Sequence, residues 1–272
     1  MNYNKSETTA FLLSLETQGI KLGLSRTKKL LSICGNPEKK LKSVQIIGTN
    51  GKGSTAASLS SILQSQGLKV GIYTSPHLVI FNERIQINNT HIPDRYINQF
   101  IQEYQNQILE LSCTFFETLT VLALHYFDHM GVDIAILETG LGGRYDSVSA
   151  CKPKLHLFTH ISKDHMHLLG NSIEEIALNK AHAIRSGVPC ISVKQDIRVK
   201  KVLNQYAKDQ STFIDYNIYD SKFRSYVSPI NGAHQKDNLL LAIHAAKSLI
   251  DIDLNTIAKG IKNIVWPGRI QV

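Results

Sequence analysis

At Gly48-Thr49-Asn50-Gly51-Lys52-Gly53-Ser54 the chain carries three glycines and a lysine within seven residues. A short apolar run at 44–47, with the composition of a β-strand, precedes this stretch. Apolar residues at helical spacing follow it as far as Gly67. A strand, a glycine-rich loop and a helix in this order direct free backbone N–H groups and the positive end of the helix toward an anion. The sequence therefore predicts a phosphate-binding loop.

The side chains of this loop suit the same ligand. Lys52 adds a point charge for a β- or γ-phosphate, and Ser54 or Thr55 supplies a hydroxyl for Mg²⁺. The spacing departs from the standard P-loop because Gly53 stands between the lysine and the serine. The alternative is a glycine-rich turn with a solvated lysine.

Outward from this loop, strand-like and helix-like segments alternate along the chain. Strands are predicted at 44–47, 69–74, 132–137, 154–161 and 188–193, with two weak strands near Phe213 and Phe223. Strands that alternate with helices form a parallel sheet covered on both faces. We therefore predict an α/β fold of the P-loop NTPase-like kind, a doubly wound, mostly parallel sheet flanked by helices.

Composition limits the classes of protein to which the chain can belong. The 272 residues are 43% hydrophobic and 19% charged, which is enough to bury a full core. Of the net charge of +8, +5 lies between Lys152 and Asp209, but without a run of basic residues, and a single tryptophan makes no stacking array. We therefore expect no nucleic-acid partner. No apolar stretch approaches the ~18 residues of a membrane span. Four dispersed cysteines and an N-terminus without a signal-peptide core predict a cytoplasmic protein with no membrane partner.

Three candidate metal ligands follow predicted strands, namely Ser75, Glu138 and His165. The carboxyl ends of strands in a doubly wound sheet open on one crevice, which the phosphate loop also borders. A carboxylate there can hold Mg²⁺ or Mn²⁺ against nucleotide phosphates. Histidine is an unusual ligand for Mg²⁺, so chemistry alone favours a surface or core role for His165.

Lys180 lies on an apolar stripe, four residues from both Ile176 and Ile184, in a helix predicted from Ser172. An apolar, cation-bearing site favours the neutral form of a lysine. A neutral amine can react with carbon dioxide to give a carbamate, which is an anion. On spacing alone, a lysine that reaches out from the edge of the stripe is the favoured alternative.

Further motifs give the chain a family resemblance. The phosphate loop resembles the variant found in the Mur ligase superfamily, in particular in the folylpolyglutamate synthase/dihydrofolate synthase family. The other matching blocks follow in order: Tyr73-Thr-Ser-Pro-His77, Phe81-Asn-Glu-Arg84, Leu137-Glu-Thr-Gly-Leu-Gly-Gly-Arg144 with Asp146, Asp164-His165 with Leu169-Gly170, Lys180-Ala181, Gln235 with Asn238, and Trp266-Pro-Gly-Arg269. The ordered series covers residues 41–272 and makes the resemblance specific.

The resemblance implies the fold of the Mur ligase central domain and an ATP-dependent amide ligation. In this family a pteroate or folate carboxylate attacks the γ-phosphate of ATP to give an acyl phosphate. The amine of L-glutamate then displaces phosphate. The implied activity is that of a dihydrofolate synthase, a folylpolyglutamate synthase or both, in folate biosynthesis and one-carbon metabolism. The implied partners are ATP, L-glutamate and dihydropteroate or folate, and we expect a monomer.

The resemblance also implies roles for individual residues. Nucleotide binding would fall to Thr49, Asn50, Gly51, Lys52, Gly53, Ser54, Thr55, Asn238 and Arg269. Two Mg²⁺ sites, which could also take Mn²⁺, would use Ser54, Ser75, Glu138 and His165. The catalytic set would be Lys52, Glu138, His165 and a carbamylated Lys180. A mobile loop beside the folate pocket would contribute Ser75, Pro76, His77 and Arg84.

The expected domain organisation is a helical lead at 1–40 and a Mur ligase-type ATP-binding domain at 41–272. In the family, the block at Trp266 leads into a smaller C-terminal domain, which we expect to be absent because the chain stops at Val272. Two alternatives to a ligase stay open at this point. They are a nucleotide-binding remnant without turnover and a P-loop kinase of small molecules, which would need no glutamate.

Overall fold

A computed structural model describes residues 5–17, 19, 21–223 and 225–267 of the chain. One sheet runs through this part of the molecule. Its strands are β1 (Ser43–Ile47), β2 (Val70–Tyr73), β3 (Ile85–Ile87), β4 (Thr90–His91), β5 (Ile134–Glu138), β6 (Leu155–Phe158), β7 (Cys190–Ser192) and β8 (Ile214–Asp215).

The strand order is β4-β3-β2-β5-β1-β6-β7-β8. From β2 to β8 all neighbours are parallel, whereas β3 and β4 form an antiparallel hairpin on β2. Every residue of β1, β2, β5 and β6 is buried, as expected for strands covered on both faces. Since β1 lies between β5 and β6, the chain changes direction across the sheet beside β1. Ligands bind outside the carboxyl ends of the strands at such a point.

Helices cover both faces of the sheet. They are α1 (Lys5–Glu16), α2 (Ser25–Ile33), α3 (Pro37–Lys40), α4 (Lys52–Ser65), α5 (Asp94–Glu110), α6 (Phe115–His129), α7 (Met166–Leu169), α8 (Ile173–Ala181), α9 (Ile197–Asp209), α10 (Gln235–Leu249) and α11 (Leu254–Lys262). Apolar residues of α4, α10 and α11 form one core with the sheet. On the opposite face α5 and α6 form a second core, which α1 and α2 share, and α8 and α9 form a third.

The predicted doubly wound, mostly parallel sheet is confirmed, and so are its five main strands. The weak strand near Phe213 is present as β8, but the one near Phe223 is wrong. Residues Ser221–Phe223 form a 3-10 turn, and the Phe223 ring is buried against His244 of α10. Burial of one aromatic ring, rather than strand pairing, explains the apolar character there. The hairpin of β3 and β4 was not predicted.

Within the described ranges, no helix has both the length and the apolar character to cross a membrane. The four cysteines are buried thiols. They are core residues, as the sequence predicted.

Candidate functional site

The phosphate loop leaves the carboxyl end of β1 and enters α4 at Gly51. Gly51 has a φ of +88°, and a Cβ there would lie 2.3 Å from the Oδ1 of Asn238, so the position requires glycine. The N–H groups of Thr49 and Asn50 donate to the carbonyl oxygen of His160, which follows β6. These bonds fix the loop against the neighbouring strand. The first N–H groups of α4 have no acceptor within the helix and point along its positive end, where an anion is stabilised.

Two lysines add positive charge to this loop. Lys52 Nζ donates to the carbonyl oxygen of Thr49 at 3.0 Å, and Lys180 Nζ, from α8, donates to that of Gly48 at 2.7 Å. Lys180 is only 3% exposed. Burial, and then the charge of Lys52, lower its pKa to about 7, so a large share of Lys180 is neutral near pH 7. The structure therefore confirms a buried lysine and rules out one that reaches solvent.

One buried carboxylate faces these cations from the end of β5. Glu138 Oε1 lies 3.8 Å from Lys52 Nζ, and Glu138 Oε2 accepts the N–H of Ser75 at 3.2 Å. The two residues line a cavity of about 580 Å³ together with the phosphate loop. We call this the phosphate cavity. Outside the loop, its other lining residues include His160, Val193, His234, Asp237 and Asn238.

The donors in the phosphate cavity suit a hard divalent cation. Ser54, Ser75 and Glu138 all line it, and they offer two hydroxyls and a carboxylate. Among the described residues, no three His, Cys, Asp or Glu side chains form a metal-binding cluster. The carboxylate of Glu138 with the two hydroxyls fits Mg²⁺ or Mn²⁺, since Mg²⁺ usually binds one or two carboxylates together with substrate phosphates.

His165, the fourth predicted metal ligand, lies in an adjoining cavity. It precedes α7 in a left-handed conformation with a φ of +46°, its side chain is half exposed, and its Nε2 is 3.7 Å from Asp164 Oδ2. The structure thus brings Ser54, Ser75 and Glu138 to one cavity. It sets His165 on the far side of Ser75, which lines both cavities.

This second cavity has a volume of about 570 Å³, and we call it the acceptor cavity. The end of α1, the loop after β2, the start of α6, the loop after β5 and α7 form its walls. Among its lining residues are Leu15, Leu22, Phe115, Phe116, Tyr145 and Leu168. Ser75 and Pro76 line both cavities, so the two spaces meet at this dipeptide. A largely apolar pocket that opens on an anion site can hold an organic substrate with one end at the phosphates.

The predicted substrate loop is held together by its own side chains. Arg84 lines the acceptor cavity, donates from Nε to His77 Nδ1 at 2.8 Å, and lies over the Phe115 ring. Burial, and then the charge of Arg84, lower the pKa of His77, so this imidazole accepts the hydrogen bond in its neutral form. Of the predicted substrate residues, Ser75, Pro76 and Arg84 line the acceptor cavity.

Two polar residues of the acceptor cavity had no predicted role. The carboxylate of Asp146 is buried, accepts the N–H groups of Leu141 and Val148, and has a pKa raised to about 6 by burial. Beside it, the hydroxyl of Ser147 is 2.5 Å from that of Thr120. Asp146 belongs to a motif block that the sequence had singled out. Nothing in the sequence pointed to Ser147, because a lone serine gives no sign that it will line a cavity formed by distant segments of the chain.

The other residues predicted to bind nucleotide lie in different surroundings, and their roles stay predictions. Asn238 Nδ2 donates to Gln235 Oε1 at 2.9 Å, and both residues belong to α10. The amide of Asn238 packs against the phosphate loop at Gly51. Thr55 is fully buried, away from the cavity. Arg269 lies outside the described residues. His234 and Asp237, which line the phosphate cavity, were missed.

The sequence of the chain is similar to those of known proteins. The family described as the Mur ligase middle domain matches residues 46–250. The dihydrofolate synthase/folylpolyglutamate synthase of Bacillus subtilis is 33% identical, over 93% of this chain and 67% of the relative. The probable bifunctional folylpolyglutamate synthase/dihydropteroate synthase of Haloferax volcanii is 34% identical, over 98% of this chain and 35% of the relative. The chain thus spans two thirds of one relative and a third of the other.

Solved structures share the fold. The folylpolyglutamate synthase of Thermotoga maritima matches with a TM-score of 0.86 at 31% identity, over 97% of this chain and 68% of its own. A complex of FPGS with AMPPCP and folate matches with a TM-score of 0.89 at 28% identity, over 99% of this chain and 74% of its own.

Proposed function

Because the chain belongs to the folylpolyglutamate synthase/dihydrofolate synthase family of Mur ligases, we propose that it is an ATP-dependent ligase that joins L-glutamate to a pteroate or folate carboxylate. One observation carries this proposal. Ser75 and Pro76 form a wall common to a cationic phosphate cavity and a largely apolar cavity. A substrate whose planar heterocycle lies in the acceptor cavity can therefore direct its carboxylate at a nucleotide held by the phosphate loop.

The proposed reaction has two steps. A carboxylate oxygen of the acceptor attacks the γ-phosphorus of ATP and ADP leaves, which forms an acyl phosphate. The amine of L-glutamate then attacks the acyl carbon, phosphate leaves, and the nitrogen loses a proton. Such transfers depend on positioning and on neutralising charge. The N–H groups at the start of α4 and the ammonium of Lys52 offset charge on the phosphates.

The hydroxyls of Ser54 and Ser75, the carboxylate of Glu138 and the imidazole of His165 would hold the divalent cations. A bound Mg²⁺ or Mn²⁺ would supply Lewis-acid stabilisation of phosphate charge. In this proposal Ser54 and Glu138 would hold the nucleotide-bound cation, and Ser75, Glu138 and His165 would hold the second. Ser75 lines both cavities, so it lies between Glu138 and His165. The N–H of Ser75 holds Glu138 Oε2 in place, which leaves Glu138 Oε1 toward Lys52.

We propose that Lys180 carries a carbamate in the working enzyme. Its burial and its pKa near 7 support this, because a neutral amine adds to carbon dioxide and releases one proton. The product is an anion next to Lys52, so an attractive pair of opposite charges takes the place of a lysine whose charged form Lys52 repels. Intact mass under bicarbonate, compared with a Lys180→Ala variant, tests for one added carbon dioxide.

The acceptor cavity would hold the pterin ring. Pockets of this kind combine apolar walls with a few polar groups that fix orientation. The 2-amino group and the N3–H of a pterin form an edge with two donors, and a carboxylate accepts two such bonds side by side. Asp146 offers that carboxylate at the wall, while Phe115 and Phe116 supply aromatic surface. Dihydropteroate and folate both carry this edge, so both are candidate acceptors.

The deciding experiment measures ADP release by the 272-residue chain with Mg²⁺ and ATP, and adds dihydropteroate or folate and L-glutamate singly and together. We expect release that needs both, with a glutamylated product by mass. A phosphorylated acceptor formed without glutamate would identify a kinase instead. Bound ATP without ADP release under all conditions would identify a binding protein. A monomeric state and a cytoplasmic location stay predictions.

A further inference from the structure

The glycine that sets this phosphate loop apart from a standard P-loop lies against an aromatic ring. A Cβ at Gly53 would be 2.5 Å from Cζ2 and 3.2 Å from Cε2 of Trp266. Real Cβ atoms essentially never come within 3.0 Å of a heavy atom from outside their own residue and its two chain neighbours. While the indole occupies this place, only glycine fits between Lys52 and Ser54.

The indole reaches Gly53 because the chain after α11 runs back along α4. Gly260 of α11 packs on α4 so closely that a Cβ there would lie 2.5 Å from the Cα of Ile62, and Ser61 Oγ donates to the Gly260 carbonyl oxygen at 2.7 Å. Six residues later Trp266 contacts the first turn of the same helix. The segment therefore contacts α4 at two places, Gly260 near the end of the helix and Trp266 at its start, where the phosphate loop lies.

Shape, and not a hydrogen bond, holds the ring in place. Trp266 is partly buried and packs on the apolar core shared by α4, α10 and α11. Its Nε1 is buried and has no hydrogen-bond partner in the described part of the chain. A phenylalanine ring should therefore fill most of the same space, whereas alanine would leave a gap over Gly53.

We propose that Trp266 is a positioning residue for the phosphate loop. Its ring lies over Gly53 and limits the fraying to which the first turn of a helix is prone, so that the N–H groups of Lys52, Gly53 and Ser54 stay directed at the phosphates. The loop is thus ordered before nucleotide arrives, which lowers the cost of binding. This inference rests on the proposed binding of ATP at that loop.

A double-mutant cycle tests the contact. ATP affinity is measured by calorimetry for the wild type, Trp266→Ala, Gly53→Ala and the double variant, with a thermal melt of each. Both single variants should bind ATP more weakly, and Gly53→Ala should lose more because its Cβ meets the ring. In the double variant the ring is gone, so ATP should bind at least about threefold more tightly than the sum of the single losses predicts.

Two further variants separate positioning from folding. Trp266→Phe should keep ATP affinity within about threefold of the wild type, because shape holds the ring. Val265→Ala changes an exposed neighbour, 62% accessible, and should leave affinity unchanged. Because Trp266 is the only tryptophan of the chain, its fluorescence should change when ATP is added.

Strictly additive losses, or a Trp266→Ala variant that melts earlier but binds ATP normally, would overturn the positioning role and leave the proposed function intact. Failure of the wild-type chain to bind ATP would overturn both.

Discussion

Lys180 Nζ lies 2.7 Å from the carbonyl oxygen of Gly48, so a buried side chain of α8 is bonded to the first residue of the phosphate loop. The lysine thus has two effects on the loop. It holds the backbone of the loop, and, once converted to a carbamate, it would place a negative charge beside Lys52.

Replacing Lys180 should therefore impair ligation more than it weakens folding. We expect Lys180→Ala to lower kcat by about a hundredfold, a size typical of one lost electrostatic contact in a dry site. In buffer freed of carbon dioxide, wild-type turnover should fall and bicarbonate should restore it, whereas the variant should not respond. Lys201→Ala, at an exposed position on α9, is the matched control. Wild-type turnover that is indifferent to bicarbonate would rule out the carbamate.

Asp146 should determine acceptor affinity and leave ATP affinity alone. Its carboxylate lies in the wall of the acceptor cavity, and weakening a hydrogen bond to a charged group there should raise the acceptor KM about tenfold in Asp146→Asn. Because burial raises the pKa of this carboxyl to about 6, the charged form is lost as the pH falls through 6. Acceptor KM should rise in that range for the wild type and stay flat for the variant.

Steady-state kinetics with each substrate varied in turn checks this prediction. Asp209→Asn, an exposed change at the end of α9, should alter neither KM. If Asp146→Asn raised the KM of ATP and of the acceptor equally, the residue would be supporting the fold rather than the pocket.

The parts of the site that follow strands directly could be predicted from the sequence. The phosphate loop, Ser75 and Glu138 each come after a buried strand, and parallel strands bring their carboxyl ends to one edge. The acceptor cavity could not be predicted in this way. Leu15 from α1 and Leu168 from α7 line the same cavity only because the folded chain brings distant segments together. In a sequence, apolar residues of this kind are indistinguishable from core residues.

The hairpin of β3 and β4 escaped prediction for a different reason. Its strands have three and two residues, too few for a period of two to be visible. The turn itself carried a signal. Asn88 and Asn89 both have positive φ, which a two-residue hairpin turn requires and asparagine adopts readily. Asn88 Oδ1 also accepts the N–H of Val70 in the neighbouring strand β2.

Glu83 should order the loop that follows Pro76. Its carboxylate accepts the N–H groups of Leu78, Val79 and Ile80, although all three side chains are exposed. We expect Glu83→Ala to release these amides, so that their hydrogen exchange accelerates and acceptor KM rises, because the same loop carries the wall shared by the two cavities. Exchange measured by mass spectrometry is the check, with Glu110→Ala on the outside of α5 as control. Unchanged protection at residues 78–80 would contradict this role.

His156 should make the fold sensitive to acid. The ring is fully buried in β6, and its Nε2 accepts the N–H of Arg185 at 3.1 Å. Burial, and then the charge of Arg185, lower its pKa from 6.5 to about 3. Below pH 6.5 the unfolded chain therefore binds a proton that the folded chain refuses, and stability falls with the pH until about 3. At pH 5 this amounts to about 2 kcal/mol relative to neutral pH.

Urea unfolding of the wild type and of His156→Gln between pH 7.5 and 5 measures this effect. The variant loses packing at every pH, so only the difference in slope counts. The free energy of unfolding of the wild type should fall more steeply toward pH 5 than that of the variant. His91→Gln, at an exposed position of β4, should keep the wild-type slope. Parallel curves for the wild type and His156→Gln would mean that a protonated His156 is tolerated in the fold, and that the acid sensitivity arises from other groups.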